Sequence, residues 1–274
     1  MIGNVNAVFL FEWKRALTLP RMAWWALLAL FPVFIVGVIR FSMPSEEQRV
    51  MYPIPPEQLR IFWAFMLYAL IPMLVSMLGT LLWATPAISA ELERRSWVYL
   101  TVRPNGGTAV LLGKYLAAVT WVIPAALIGL TIAVPLADTG DGWRMWWTMA
   151  RLVCLSCPAY GAIYLLLGTL LPRRALVLAV AYTLIFEFVI RIIPAIINKL
   201  TVQYRLQALL VKWCQLSLSD PGERPSGVQA LIRIGDEPAW QHVTILLLLP
   251  PVLLLIAVAV LRWSEFSASA ESDV

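Results

Sequence analysis

In a chain of 274 residues, 61% are hydrophobic and only 14% charged, against about 45–50% and about 25% in soluble domains, and no water-soluble fold could hide that excess of apolar surface. The net charge of +5 raises nucleic-acid binding as a reading, but in so apolar a chain basic residues mark cytoplasmic flanks and lipid-headgroup contacts instead. Three cysteines and one histidine are too few for a disulfide framework or for a histidine-rich metal or proton-relay site.

The first element expected is an amphipathic helix over residues 4–19. Phe9, Leu10, Trp13, Ala16 and Leu17 form one stripe, Lys14, Arg15 and Thr18 lie opposite, and Phe11 is a misfit. The pattern predicts a helix in the membrane interface, occupying residues 1–20 and feeding the first span after Pro20. The apolar run that follows starts only at Met22 and has no small-residue cleavage site behind it. It therefore predicts a retained span, 22–39, rather than a signal peptide.

A helical span needs about 20 apolar residues, and five further runs qualify. Residues 61–90 are uncharged and place a second span at 61–86; 115–137 are uncharged and form a third. The fourth, 145–172, contains only Arg151, which can snorkel to the headgroups. The fifth, 175–197, contains Glu187 and Arg191, and the sixth, 243–262, is rich in leucine. Run length and the missing two-residue alternation predict helices, not barrel strands. Pro32, Pro72, Pro124, Pro158, Pro250 and Pro251 predict kinks whose freed carbonyls neighbouring helices satisfy. Between the last two spans, residues 198–242 predict an external loop. It carries an amphipathic helix over 200–217, with Leu206, Leu209, Leu210 and Trp213 on one face and SDPGERPSG behind it.

The fold class expected is an all-α membrane protein: a six-helix transmembrane bundle, one domain over 1–274, with an N-terminal interfacial helix. Six spans put both termini on one side, together with Lys14–Arg15, Arg94–Arg95 and Arg173–Arg174. The positive-inside tendency makes that side cytoplasmic, in the inner membrane of a bacterium.

Ionisable groups inside a span are costly and raise a functional hypothesis. Glu187 and Arg191 stand four apart on the fifth span, so they share a helix face and can pair. Either they line the exit of a translocation path, or they stabilise the helix end beside the outer loop. Cys154 and Cys157 form C-x-x-C, but with Ala150, Gly161 and Gly168 they read as a stripe of small residues for close helix packing.

The most informative stretch is the cytoplasmic elbow 88–114, whose core reads AELERRSWVYLTVRPNGGTAVLLGK. Glu91, Glu93, Arg94 and Arg95 bring both charge signs into one short helix, and Trp97 to Leu100 couple an apolar turn to it. Pro104 ends that helix, Asn105-Gly106-Gly107 turns the chain, and Thr108 can cap the next helix.

Here the chain resembles the permeases of type 2 ATP-binding-cassette (ABC) exporters, on a glutamate-led charged stretch after the second span (Glu91), an Arg-Pro pair (Arg103-Pro104) and a Gly-Lys opening the third span (Gly113-Lys114). Glu187, Pro194 and Tyr204-Arg205-Leu206 match a second pattern of the family around the fifth span. The Gly-Thr pair usual after the charged stretch is replaced by Ser96-Trp97. The resemblance implies a permease that is no enzyme itself. It pairs with a second permease, a copy or a different chain, and with separate ATPase subunits that carry ATP and magnesium. The loop between spans two and three would dock on the ATPase, with Glu91, Glu93, Arg94, Arg95 and Arg103 as charged contacts and Trp97 or Tyr99 as apolar anchors.

The residues agree that ATP chemistry is not held here. A Walker A loop needs G-x-x-x-x-G-K-[ST], whereas Gly107 and Gly113 are six apart and Tyr115 stands where a hydroxyl should bind magnesium. Two other readings compete. A membrane-embedded enzyme needs clustered catalytic groups, and His242 stands alone. A secondary transporter favours several buried carboxylates and inverted repeats, against one Glu–Arg pair and no detectable repeat. The same elbow can also be a solvated loop that keeps span ends in water.

Overall fold

A computed structural model describes residues 2–43, 55–93, 106–137, 140–189, 199, 201–216 and 237–263. Every regular element among them is helical. α1 is Ile2–Ala16 and α2 is Leu19–Ser42, started by Pro20 in its first turn, where a missing N–H costs nothing. α3 is a continuous run: Pro56–Tyr68 is α-helical, Ala69–Val75 opens into a π-helix, Ser76–Ala84 is α-helical again, and Thr85–Ala87 tightens into a 3-10 turn. The wide segment holds Pro72, whose ring would clash with a carbonyl one α-turn back. Short α4 (Ser89–Glu93) follows.

α5 is Gly106–Ala137 and α6 is Gly142–Leu170. Gly140, at φ 73°, makes the turn between them, and the Asp141 side chain caps α6 by accepting from the Arg144 N–H at 3.3 Å. A 3-10 turn, Pro172–Arg174, leads to α7 (Ala175–Tyr182), which continues as a second π-helix, Thr183–Val189. α8 is Val202–Cys214, capped by Thr201 and closed by Gln215 in the left-handed conformation. α9 is Ala239–Trp263.

Five described helices, Leu19–Ser42, Glu57–Ala87, Gly106–Ala137, Gly142–Leu170 and Ala239–Trp263, are long and apolar enough to cross a bilayer. The protein is an all-α membrane protein. α5, at 32 residues, is about 48 Å long against a hydrocarbon core of about 30 Å, so one end stands clear of the lipid. Of the expected fifth span, the described part is Ala175–Val189; Arg191 and Pro194 lie outside the described residues.

α6 is the centre of the bundle. It packs against α3, α5, α7, α8 and α9 and buries Met149, Leu152, Tyr160 and Tyr164 completely. α2 and α9 are peripheral. α2 buries only Ala29, Pro32 and Val36, one face at helical spacing, while Leu27, Phe34, Leu247 and Leu255 point outward. Glycines set the closest approaches. A Cβ on Gly129 would lie 2.6 Å from the Ala29 carbonyl oxygen, and one on Gly168 would lie 2.3 Å from that of Thr85.

Three details depart from the sequence reading. The buried side of α1 runs through Val5, Val8, Phe9, Glu12, Trp13 and Ala16, while Leu10 and Leu17 are exposed. The helix is rotated because Gly113 of α5 admits Val8 at a distance no side chain would tolerate. Cys154 is exposed whereas Cys157 is buried; at 100° per residue it is the outermost member of its stripe. The amphipathic helix expected in the external loop, α8, is covered on nearly every side. Gln203, Leu206, Gln207 and Leu210 share one buried side at helical spacing, Tyr204, Ala208 and Leu209 are buried away from it, and the helix packs against α6 and α9. Hydrogen bonds to Gln203, described below, make its polar side tolerable in the interior.

Candidate functional site

Two polar groupings interrupt the apolar bundle. The first lies where α3 ends, α5 begins and α1 crosses. The 3-10 turn at Thr85–Ala87 leaves helix-end carbonyls without intrahelical partners. Lys114 Nζ donates to the Ala87 carbonyl at 2.8 Å and to Glu91 Oε1 at 2.5 Å. It also lies 3.8 Å from Glu12 Oε1 of α1, and Arg15 approaches that same carboxylate at 3.5 Å. Lys114 is buried, and a cation at a helix C-terminus is favoured by the backbone dipole. One ammonium thus ties three elements, and the neighbouring Gly113 makes the space for the third.

Of the residues expected on the coupling elbow, Glu91 is therefore brought into a defined contact. Glu93 ends α4, and Arg94, Arg95, Trp97, Tyr99 and Arg103 lie outside the described residues. Lys114 was visible in the sequence only as part of the Gly-Lys pair. Glu12 was missed, because a carboxylate beside Lys14 and Arg15 reads as part of a solvated face.

The second grouping surrounds Glu187, which is completely buried on the π-helical end of α7. Tyr160 donates to its Oε2 at 3.2 Å, Tyr182 to its Oε1 at 3.4 Å, and the Gln203 backbone N–H to Oε2 at 3.4 Å. The Gln203 side-chain amide donates to the Tyr160 hydroxyl at 2.7 Å. Tyr68 donates to the Gln203 backbone carbonyl at 3.2 Å and also to its side-chain oxygen. Nearby, Tyr164 and Thr183 share a hydrogen bond of 2.7 Å.

This network joins α3, α6, α7 and α8 around a single carboxylate, each donor coming from a different helix or turn. The partners described for Glu187 are phenols and an amide. Tyr68, Tyr160, Tyr182 and Gln203 were not singled out from the sequence, since none carries a charge that hydropathy would flag. The spacing of Tyr160 and Tyr164, one helical turn apart on a span, was the available signal.

The far end of the bundle is held by cations on carbonyls and rings. Arg60 of α3 donates to the Cys214 carbonyl at the end of α8, and Arg144 of α6 to that of Trp213 at 3.4 Å. Arg151 is exposed, as a snorkelling residue must be, with its guanidinium 5.8 Å from the centre of the Trp213 ring. Lys199 reaches Glu237 at 2.8 Å, and that hydrogen bond holds the Glu237 carboxyl below its ordinary value. His242 lies buried beside it, 3.9 Å from Glu237.

No family model matches this chain, and no curated protein matches it by sequence.

Proposed function

We propose that this chain is the membrane-spanning permease subunit of an ABC exporter in a bacterial inner membrane. It would pair with a second permease chain and be driven by separate ATPase subunits that bind ATP and magnesium. The observation that carries the reading is the Lys114 knot. Glu91 and the Gly113-Lys114 pair, which belong to the family-like layout, meet in space, and they do so together with α1.

A lever must be stiff at its root. If an ATPase pushes the elbow 88–114, a flexible attachment would absorb the movement. With Lys114 bonded to Ala87, Glu91 and Glu12, displacement of α4 passes into α3, α5 and α1 at once. Glu93, Arg94, Arg95 and Arg103 would make the charged contacts with the ATPase, with Trp97 or Tyr99 as apolar anchors. Glu187, with Arg191, would serve the outer end of the path.

The orientation proposed has six spans and both termini cytoplasmic. Supporting it, the turn carrying Arg173 and Arg174 packs against α4, so that this basic doublet gathers at the same end of the bundle as Lys114 and α1. The passage from α7 to Lys199, at the opposite end with Glu237, would be the fifth crossing.

The test is reconstitution. A nucleotide-binding protein is expected to co-purify with the chain, and ATP turnover should need both. The double variant Glu91→Gln/Arg95→Ala should insert normally but lower coupled transport at least roughly tenfold, since the loss of even one charge-assisted hydrogen bond is worth about that much. Full coupling in that variant, or transport by the purified chain without nucleotide, would sink the reading.

A further inference from the structure

Between α1, the start of α2, the end of α3 and the start of α5 lies a cleft of about 310 Å³ that the coupling role leaves unused. Its walls include Trp13, Trp24, Trp83 and Trp121, and its cations are Arg15, Arg21 and Lys114. The charges do not cancel. Lys114 is held by Glu91 and Glu12, and Arg15 shares Glu12. Arg21 donates only to the Arg15 backbone carbonyl, at 3.3 Å. Among the described residues it has no carboxylate, so the cleft keeps one uncompensated guanidinium.

Trp121 adds an independent demand. Its ring is 5% exposed and packed against Trp13 and Trp25, at 5.1 and 6.0 Å between centroids. Its indole N–H nevertheless has no acceptor. A buried N–H without an acceptor is rare and calls for an explanation, and a guanidinium without a carboxylate is a strong oxyanion donor. Both residues line the same cleft, and the indole nitrogen, itself without exposed surface, meets an acceptor there once the side chain shifts.

The surroundings indicate what carries the oxyanion. From the mouth of the cleft, Trp24, Leu27, Phe31, Phe34 and Val38 run along α2, all exposed, at spacings of three and four that keep them on one face. A small inorganic anion would leave that apolar track uncovered. A lipid would cover it and fill the cleft together, and tryptophans favour the headgroup level of a bilayer.

We propose that this cleft is a binding site for an anionic glycerophospholipid. Its phosphodiester accepts from Arg21 and, after a shift of the Trp121 ring towards the cleft, from the indole N–H; Trp24 and Trp83 flank the headgroup, and the acyl chains lie along the α2 track. Bound there, the lipid sits against Glu12 and Lys114 and fills the gap between α1 and α2. The site requires only a bilayer, and it stands whether or not an ATPase partner exists.

The test is native mass spectrometry of the purified chain titrated with phosphatidylglycerol, phosphatidylcholine or inorganic phosphate. One phosphatidylglycerol should be retained in preference to phosphatidylcholine. Arg21→Gln should weaken its retention roughly fivefold, the effect of one basic residue at an anionic lipid surface. Arg21→Lys should restore most of it, while Arg262→Gln at the end of α9 should change nothing. Equal retention of the two lipids by the unaltered chain needs no variant and would overturn the proposal, as would undiminished binding in a folded Arg21→Gln protein. Displacement of the lipid by millimolar inorganic phosphate would overturn it in favour of a phosphate site.

Discussion

Gly168 and Gly37 look alike in the sequence, each a glycine inside an apolar run, but their surroundings are opposite. A Cβ on Gly168 would sit 2.3 Å from the Thr85 backbone oxygen, whereas one on Gly37 would meet nothing within 4 Å. A backbone oxygen cannot move aside as a side chain can, so Gly168→Ala must push α3 and α6 apart. It should destabilise the protein by about 1–3 kcal/mol, the usual range for overpacking, while Gly37→Ala should be neutral or slightly stabilising. Thermal unfolding of both variants in one detergent checks this, and equal midpoints would contradict it. At the same scale, Glu187 was legible because a carboxylate in an apolar run is conspicuous. Its partners Tyr160 and Gln203 were not, because they lie on other helices, 27 and 16 residues away.

At the scale of elements, α1 is held by specific contacts rather than by a generic apolar face. Val8 sits over Gly113, the Trp13 indole N–H donates to the Thr120 hydroxyl at 2.9 Å, and Glu12 approaches Lys114. Lys114→Met would remove the cation that links Glu12 to Glu91 and the donor to the buried Ala87 carbonyl, and leaving a buried acceptor unsatisfied costs about 1–3 kcal/mol. The expected outcome is faster proteolytic release of the N-terminal helix in the variant, with the remaining bundle intact. Proteolysis at the unaltered rate would mean that Trp13 and Val8 suffice. The two π-helical segments belong to this scale too. Ala69–Val75 follows directly after Tyr68, and Thr183–Val189 contains Glu187, so both wide turns flank the same buried network. Pro72 announces the first of them. No proline lies in the second, and only the packing of α7 on its neighbours reveals it.

For the whole molecule, the decisive feature is an apolar exterior around an apolar core that encloses a few polar side chains. α9 turns Leu247, Leu248 and Leu255 outward, while Glu187 and Gln203 are completely buried. Such a surface is stable only against lipid. In a cysteine-free background, Leu255→Cys should therefore resist a water-soluble maleimide in membranes and react after solubilisation in denaturant. Gln241→Cys, near the start of α9, should react in both. Prompt aqueous labelling at position 255 would contradict the lipid-facing assignment. The positions of the long apolar helices were determined by the sequence alone, because crossing hydrocarbon requires an uninterrupted local run and every backbone group bonded within its own segment. The face each helix buries was decided by tertiary structure: the rotation of α1, the enclosure of α8 and the meeting of Lys114 with Glu91 and Glu12. In a chain this rich in leucine and tryptophan, nearly every face is apolar enough for lipid. Close backbone approach at glycines and a few long-range hydrogen bonds choose among them, and neither is written in any local stretch of residues.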